Sequence, residues 1–67
     1  MTIDGYMKEY GIGIRELARR WDEDPSKLSV WRRDGCRQIG VAERLSRKSG
    51  GKVSIAEALL VHDLGAP

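Results

Sequence analysis

The chain has a single cysteine and no long hydrophobic run. With Cys36 alone, no intrachain disulfide and no zinc site made of several thiolates can form, which fits a reducing compartment. Residues 1–10 carry charged side chains instead of the apolar stretch of a signal peptide. No segment approaches the ~20 apolar residues that a membrane span needs. The sequence therefore predicts a cytoplasmic protein with no membrane partner.

Chemically reactive groups are equally scarce. His62 is the only histidine, and Asp63 beside it would not face it on a helix. Cys36 lies next to Arg37 and near Arg33, where cations would lower its pKa; a redox switch is one interpretation, and an unremarkable loop residue is the other. No nucleophile, acid–base pair or set of metal ligands stands out. We therefore predict a protein that is not an enzyme and needs neither metal nor cofactor.

Charge is distributed unevenly along the chain, although the net charge is only +2. Residues 1–25 have a balance of −2, residues 26–52 a balance of +6, and residues 53–67 a balance of −2. A basic middle segment is typical of a surface that faces a polyanion, but a solvated helix face has the same composition.

Apolar residues recur at three- and four-residue spacing, which indicates amphipathic helices, and the alternation typical of strands is absent. The clearest helix starts are Asp24 followed by Pro25 and the capping-box pair Ser54 and Glu57. The pattern predicts one domain, residues 1–67, with an all-α fold: a compact bundle of about five short helices that contains a helix-turn-helix. The helices are expected near residues 3–10, 14–21, 25–33, 40–49 and 55–64.

The second and third helices are joined by only three or four residues, which favours the steep crossing of a helix-turn-helix. Leu17 and Trp21 would face Leu28 and Trp31 across this turn, so we predict that the two tryptophans belong to the core and do not stack on bases. Ala18 provides the small side chain needed where two helices approach closely.

The segment ELARRWDEDPSKLSVWRRDG resembles the helix-turn-helix of the phage Cro-type small repressors, with Ala18, Leu28, Ser29 and Trp31 at matching positions. The similarity continues through VAERLSRKSGGKVS, which is similar to the segment after the motif in Cro-like regulators and their antitoxin-type relatives, and covers about residues 2–57. The resemblance implies a sequence-specific repressor that binds a palindromic operator in double-stranded DNA as a homodimer.

Two acidic residues depart from the family pattern. Asp22 stands where the turn usually has glycine, and Glu23 where it usually has an apolar residue. We expect either that Arg19, Arg20 or Lys27 neutralises these carboxylates, or that the carboxylates repel phosphate and penalise misregistered docking.

The predicted third helix would lie in the major groove, a space about 12 Å wide. Its outward face carries short polar side chains and one arginine suited to guanine. The predicted base-reading residues are Ser26, Ser29, Val30 and Arg33. The predicted phosphate-binding residues are Arg15, Lys27, Arg32, Arg37, Arg47 and Lys48. Arg19, Arg20 and Arg44 are expected to be solvated or paired with nearby acids.

The sequence is also compatible with two other functions. The acidic first third and Glu23 favour a protein-interaction module that keeps the helix-turn-helix but does not bind DNA. An excisionase-like recombination factor, which also uses a small helix-turn-helix, is the other. A homodimer would need an apolar patch, for which the candidates are Leu59, Leu60, Val61 and Leu64; these residues could instead close the core.

Overall fold

The computed structural model describes residues 1–60 of the 67-residue chain and contains helices but no strand within that range. The helices are α1 (Ile3–Tyr10), α2 (Ile14–Trp21), α3 (Pro25–Asp34), α4 (Ile39–Lys48) and α5 (Ile55–Leu59). The predicted all-α bundle of five short helices is therefore confirmed.

The helix bounds differ from the predicted ones mainly at the end of α5. Leu60 has a φ of +54°, and its N–H donates to the carbonyls of Ala56 and Glu57. A left-handed residue with these contacts terminates a helix, so α5 ends at Leu59. The remaining residues of the predicted fifth helix, 61–64, lie outside the described part of the chain. Helix α3 runs one residue further than predicted, to Asp34, and α4 is shifted by one residue.

Side-chain caps explain where α3 and α5 begin. Asp24 accepts a hydrogen bond from the N–H of Ser26 at 2.8 Å, and Pro25 occupies the first helical position. Ser54 and Glu57 form the predicted capping box, in which each side chain accepts from the other residue's backbone N–H. Caps of this kind stabilise a helix by about 1 kcal/mol each, so local sequence suffices to start both helices.

Helix α3 occupies the middle of the bundle. Helices α1, α2 and α5 all pack against it, and α4 packs mainly against α5. The buried apolar core of the described residues consists of Ile3, Met7, Leu17, Ala18, Trp21, Leu28, Cys36, Ala42, Leu45, Val53 and Ala58. Burying a leucine side chain contributes roughly 2 kcal/mol, and each of the three buried leucines comes from a different helix. Packing therefore fixes the orientation of α3.

A glycine allows the exit of α3 to touch the end of α5. Gly35 has a φ of +83°, and a Cβ at this position would lie 2.4 Å from the carbonyl oxygen of Leu59. The next residue, Cys36, donates from its backbone N–H to the carbonyl of Ala58 at 3.1 Å. No other residue type fits this close contact between two backbones.

Cys36 belongs to the core, not to a solvated loop. Its side chain is buried, and Sγ donates to the carbonyl of Ala58 at 3.4 Å. Burial raises the pKa of the thiol, so the prediction that Arg33 and Arg37 lower it is wrong. The thiolate would have to lose its hydration inside the core, and this cost exceeds the effect of nearby cations.

Candidate nucleic-acid interface

Three residues, Asp22, Glu23 and Asp24, join α2 to α3. Asp22 has φ +54° and ψ +51°, the left-handed conformation that glycine adopts most easily. The N–H of Glu23 donates to the carbonyl of Ala18 at 2.9 Å and closes the turn. An aspartate thus takes the backbone geometry expected of a glycine at this position, and α3 follows α2 as a helix-turn-helix requires.

Glu23 is held by the fourth helix. Its side chain is only 7% exposed and accepts from Arg44 Nε at 2.7 Å, Arg44 Nη2 at 3.0 Å and Lys48 Nζ at 2.9 Å. Burial raises the pKa of Glu23, but the hydrogen bonds from the two cations outweigh burial and leave it below its usual value. Glu23 is therefore an ionised anchor between the turn and α4.

The prediction that Arg19, Arg20 or Lys27 neutralises Glu23 is therefore wrong. Arg19 and Arg20 both bind Glu16, at 2.6 and 3.0 Å, as predicted for arginines paired with nearby acids. A carboxylate that is buried and paired with two cations also cannot act as a repulsive patch for phosphate, so that interpretation of Glu23 is excluded as well. Asp22 remains exposed.

The outward face of α3 carries the four residues predicted to read bases: Ser26, Ser29, Val30 and Arg33, all of them exposed. Val30 is 45% exposed, so its side chain is accessible on this face. Arg33 donates from Nε and Nη2 to Asp34 at 3.2 and 3.1 Å. Because its side chain is 72% exposed, this contact between sequence neighbours is easily exchanged for another acceptor.

Five basic residues have no ion-pair partner within residues 1–60, and they form a distinct class. They are Arg15, Lys27, Arg37, Arg47 and Lys52. The first four belong to the predicted phosphate-binding set. Its other two members are engaged: Arg32 pairs with Asp4, and Lys48 binds Glu23 and the carbonyl of Trp21.

An open groove of about 540 Å³ separates α3 from the start of α4. Its lining includes Lys27, Val30, Trp31 and Asp34 from α3, and Arg37 and Gln38 from the connection to α4. The Asp34 carboxylate is paired with Arg33. Gln38 is the N-cap of α4 but makes no side-chain capping bond, so the first N–H groups of α4 are free to bind an anion. Two unpaired cations and these amides form a surface suited to a phosphate beside α3.

A second recess, of about 450 Å³, lies on the other side of α3. It is lined by Asp4, Ser29, Arg32 and Arg33. Asp4 Oδ1 accepts from Arg32 Nε at 2.8 Å, and Asp4 Oδ2 lies 3.1 Å from Lys8 Nζ. Sequence reasoning missed Asp4, because the packing of α1 on α3, and no local pattern, brings it to this face.

The two tryptophans differ in their surroundings. Trp21 is buried, and its ring lies 5.2 Å from that of Tyr6, which confirms its predicted place in the core. Trp31 is half-buried: it packs against the core and also lines the groove beside α3. Neither ring is presented as an open stacking platform.

Several other predicted features are only partly within the described range. Leu59 and Leu60 of the suggested dimer patch are half-buried, while Val61 and Leu64 lie outside the described residues, as does His62. Within residues 1–60, no group of three potential ligands is arranged to hold a metal ion. In the same range, no helix combines the length and the apolar character that a membrane crossing needs. The chain matches no protein-family model, and neither the curated proteins nor the solved structures give a significant match.

Proposed function

We propose that this protein is a sequence-specific double-stranded-DNA-binding transcriptional regulator, a repressor, whose helix α3 enters the major groove. The observation that carries the proposal is the surface of α3: short polar side chains face outward and unpaired cations flank them. A helix with its side chains is 10–12 Å across, which matches a groove about 12 Å wide.

Roles can be assigned by side-chain chemistry and position. Ser26 and Ser29 allow close approach and donate or accept hydrogen bonds, Val30 contacts a thymine methyl group, and Arg33 donates to guanine. Lys27 and Arg37 hold a phosphate at the groove beside α3. Arg15 on α2 and Arg47 on α4, both exposed and without an ion pair within residues 1–60, provide further phosphate contacts.

The target is a palindromic operator bound by a homodimer. One chain of this size covers too little DNA for tight specific binding, since specific interfaces bury roughly 1,000–2,500 Å² of protein surface. Two copies would place their α3 helices about 34 Å apart, one turn of DNA. The proposed function is consistent with a cytoplasmic protein.

Selection of bound sites from random duplexes, at two salt concentrations, tests the proposal. We expect a palindromic consensus, and an affinity that falls with salt with a log–log slope of about −0.9 for each phosphate contact. If no sequence were enriched at either salt concentration, sequence-specific DNA binding would be contradicted. A protein-interaction module that does not bind DNA would then be the better description.

Variants of the unpaired cations then test the phosphate assignment. Replacing both Lys27 and Arg37 by alanine should flatten the salt slope by about 1.8, two contacts at roughly 0.9 each, while keeping the consensus unchanged. Arg19→Ala is the matched control, because it removes an exposed cation that is already paired with Glu16. If Arg19→Ala flattened the salt slope as much as the double variant does, the assignment of Lys27 and Arg37 to phosphate contacts would be contradicted.

A further inference from the structure

The recess between α1 and α3 contains both hydrogen-bond donors and an acceptor. Ser29, Arg32 and Arg33 provide a hydroxyl and two guanidinium groups from α3, and Asp4 provides a carboxylate from α1. Asp4 is held at 2.8 Å from Arg32 and at 3.1 Å from Lys8. The side chains of Asp4 and Arg32 are 36% and 41% exposed, so both are accessible to a ligand.

Asp4 is ionised at neutral pH. Hydrogen bonds from Lys8 and Arg32 lower its pKa below the usual value. An ionised carboxylate only accepts hydrogen bonds. The pair also fixes the direction of the Arg32 guanidinium through Nε, which leaves the terminal nitrogens to bind a ligand. Asp4 also lies in the first turn of α1, where a carboxylate favours the helix dipole, and its exposed ion pair with Arg32 adds little further stability.

Either a phosphate or the edge of a base pair could occupy the recess. The combination of donors and an acceptor in the recess distinguishes between these two parts of DNA. A phosphate offers only acceptors, so it has no donor for the exposed Asp4 carboxylate. The edge of a base pair in the major groove offers both acceptors and an amino group. A G·C pair fits best, because guanine N7 and O6 are two adjacent acceptors for a guanidinium and the cytosine amino group is a donor for a carboxylate.

We propose that Asp4, Ser29, Arg32 and Arg33 form a base-edge site that selects a G·C pair, in which an arginine donates to guanine and Asp4 accepts from the cytosine amino group. Helix α1 thereby becomes part of the reading surface. Arg32 reads a base in this arrangement, and does not bind phosphate as the sequence alone suggests. This inference rests on the proposed DNA-binding function and names part of its sequence preference.

The test compares wild type, Asp4→Ala, Arg32→Ala and the double variant on the selected operator and on duplexes with each base pair replaced in turn. At one G·C position, wild type should discriminate by roughly 10-fold or more. Both single variants should lose discrimination at that same position, and the double variant should lose no more than either one. Asp4→Ala should also bind unrelated duplexes more tightly, with a salt slope steeper by up to about 0.9, because Arg32 is then free to contact a phosphate.

Lys8→Ala is the matched control, since it removes the other cation bound to Asp4 from a side chain that is 77% exposed and on the same helix. It should keep the discrimination, and every variant should remain folded, with a thermal midpoint within roughly 8 °C of wild type. Discrimination that survives Asp4→Ala, or a uniform loss of affinity for all duplexes, would overturn this inference and leave the proposed function intact. A wild-type protein that discriminates at no position would overturn both.

Discussion

Glu23 shows, at the scale of single residues, that a charge in the sequence is not necessarily a charge on the surface. The carboxylate lies in the turn before α3 but is bound by two cations of α4 and is almost fully buried. A buried carboxylate is tolerated only when it is paired and hydrogen-bonded. The Glu23 charge is therefore neutralised within the fold, and the cluster of Glu23, Arg44 and Lys48 keeps a net charge of +1.

Replacing Glu23 by glutamine should lower the free energy of unfolding by about 1–3 kcal/mol, the usual cost of leaving charged partners unsatisfied. The amide keeps the shape of the side chain but removes the charge that binds Arg44 and Lys48. Urea unfolding at neutral pH measures the difference. Glu43→Gln is the control, because Glu43 is exposed on α4 and has no ion pair within residues 1–60. Equal stability of the two variants would show that the cluster does not anchor the turn.

At the scale of elements, the connection between α2 and α3 depends on the backbone of Asp22. Its left-handed conformation is less favourable for aspartate than for glycine, which has no Cβ. The side chain is exposed, and no hydrogen bond or ion pair of it within the described chain offsets this cost. Asp22 is thus a source of local strain.

Asp22→Gly should therefore stabilise the protein by about 0.5 kcal/mol, after allowing for the greater freedom of glycine in the unfolded chain. The thermal midpoint should rise by roughly 2–4 °C in a domain of this size. Gly11→Ala is the reciprocal control, because Gly11 has a φ of +62° and nothing lies near the added Cβ. The substitution therefore penalises only the left-handed backbone conformation, and the thermal midpoint should fall. A lower midpoint for Asp22→Gly would mean that the aspartate has a stabilising role of its own.

Local signals made the helices predictable, whereas contacts between helices were not. Asp24 with Pro25, and Ser54 with Glu57, mark helix starts through atoms at most three residues apart. In contrast, Glu23 meets Arg44 across 21 residues. Such a pair depends on how α3 orients α4 and α5, and periodicity in one sequence has no information about that orientation.

The same reason explains which parts of the candidate site were predicted. Exposure of Ser26, Ser29 and Val30 follows from helical periodicity around Leu28, so it was predictable. The contribution of Asp4 was not, because it meets Arg32 across 28 residues. The environment of Cys36 also escaped prediction, since α5 covers the thiol.

At the scale of the whole molecule, the start of the chain is attached to the last described helix. The α-ammonium group of Met1 donates to Glu57 Oε1 at 2.6 Å and to the carbonyl of Lys52. Glu57 also accepts from the backbone of Ser54 in the capping box. The ammonium group and the capping bond together lower the pKa of Glu57 to about 2.

Stability should therefore fall in acid over a defined range. A carboxyl group with a folded pKa near 2 and an ordinary value of 4.5 stabilises the fold fully above pH 4.5 and loses this contribution as the pH falls towards 2. Glu57→Gln keeps a capping-box side chain but cannot titrate. Unfolding by urea at pH 7, 4.5 and 2.5 should show a smaller decrease for the variant than for wild type. If the free energy of unfolding decreased equally in the variant and in wild type, the role of Glu57 would be contradicted. The acid sensitivity would then belong to other carboxylates, such as Asp4, Glu16 and Glu23.

The contact at Gly35 has a consequence for how this protein can diverge. Since a Cβ there would collide with the backbone of Leu59, we expect mutation of Gly35 to be selected against because of folding alone. Ser26, Ser29 and Val30 are exposed, so folding does not restrict their side chains in this way. In any set of orthologues, glycine at position 35 should persist while the outward face of α3 varies, so a new binding preference can evolve on an unchanged scaffold.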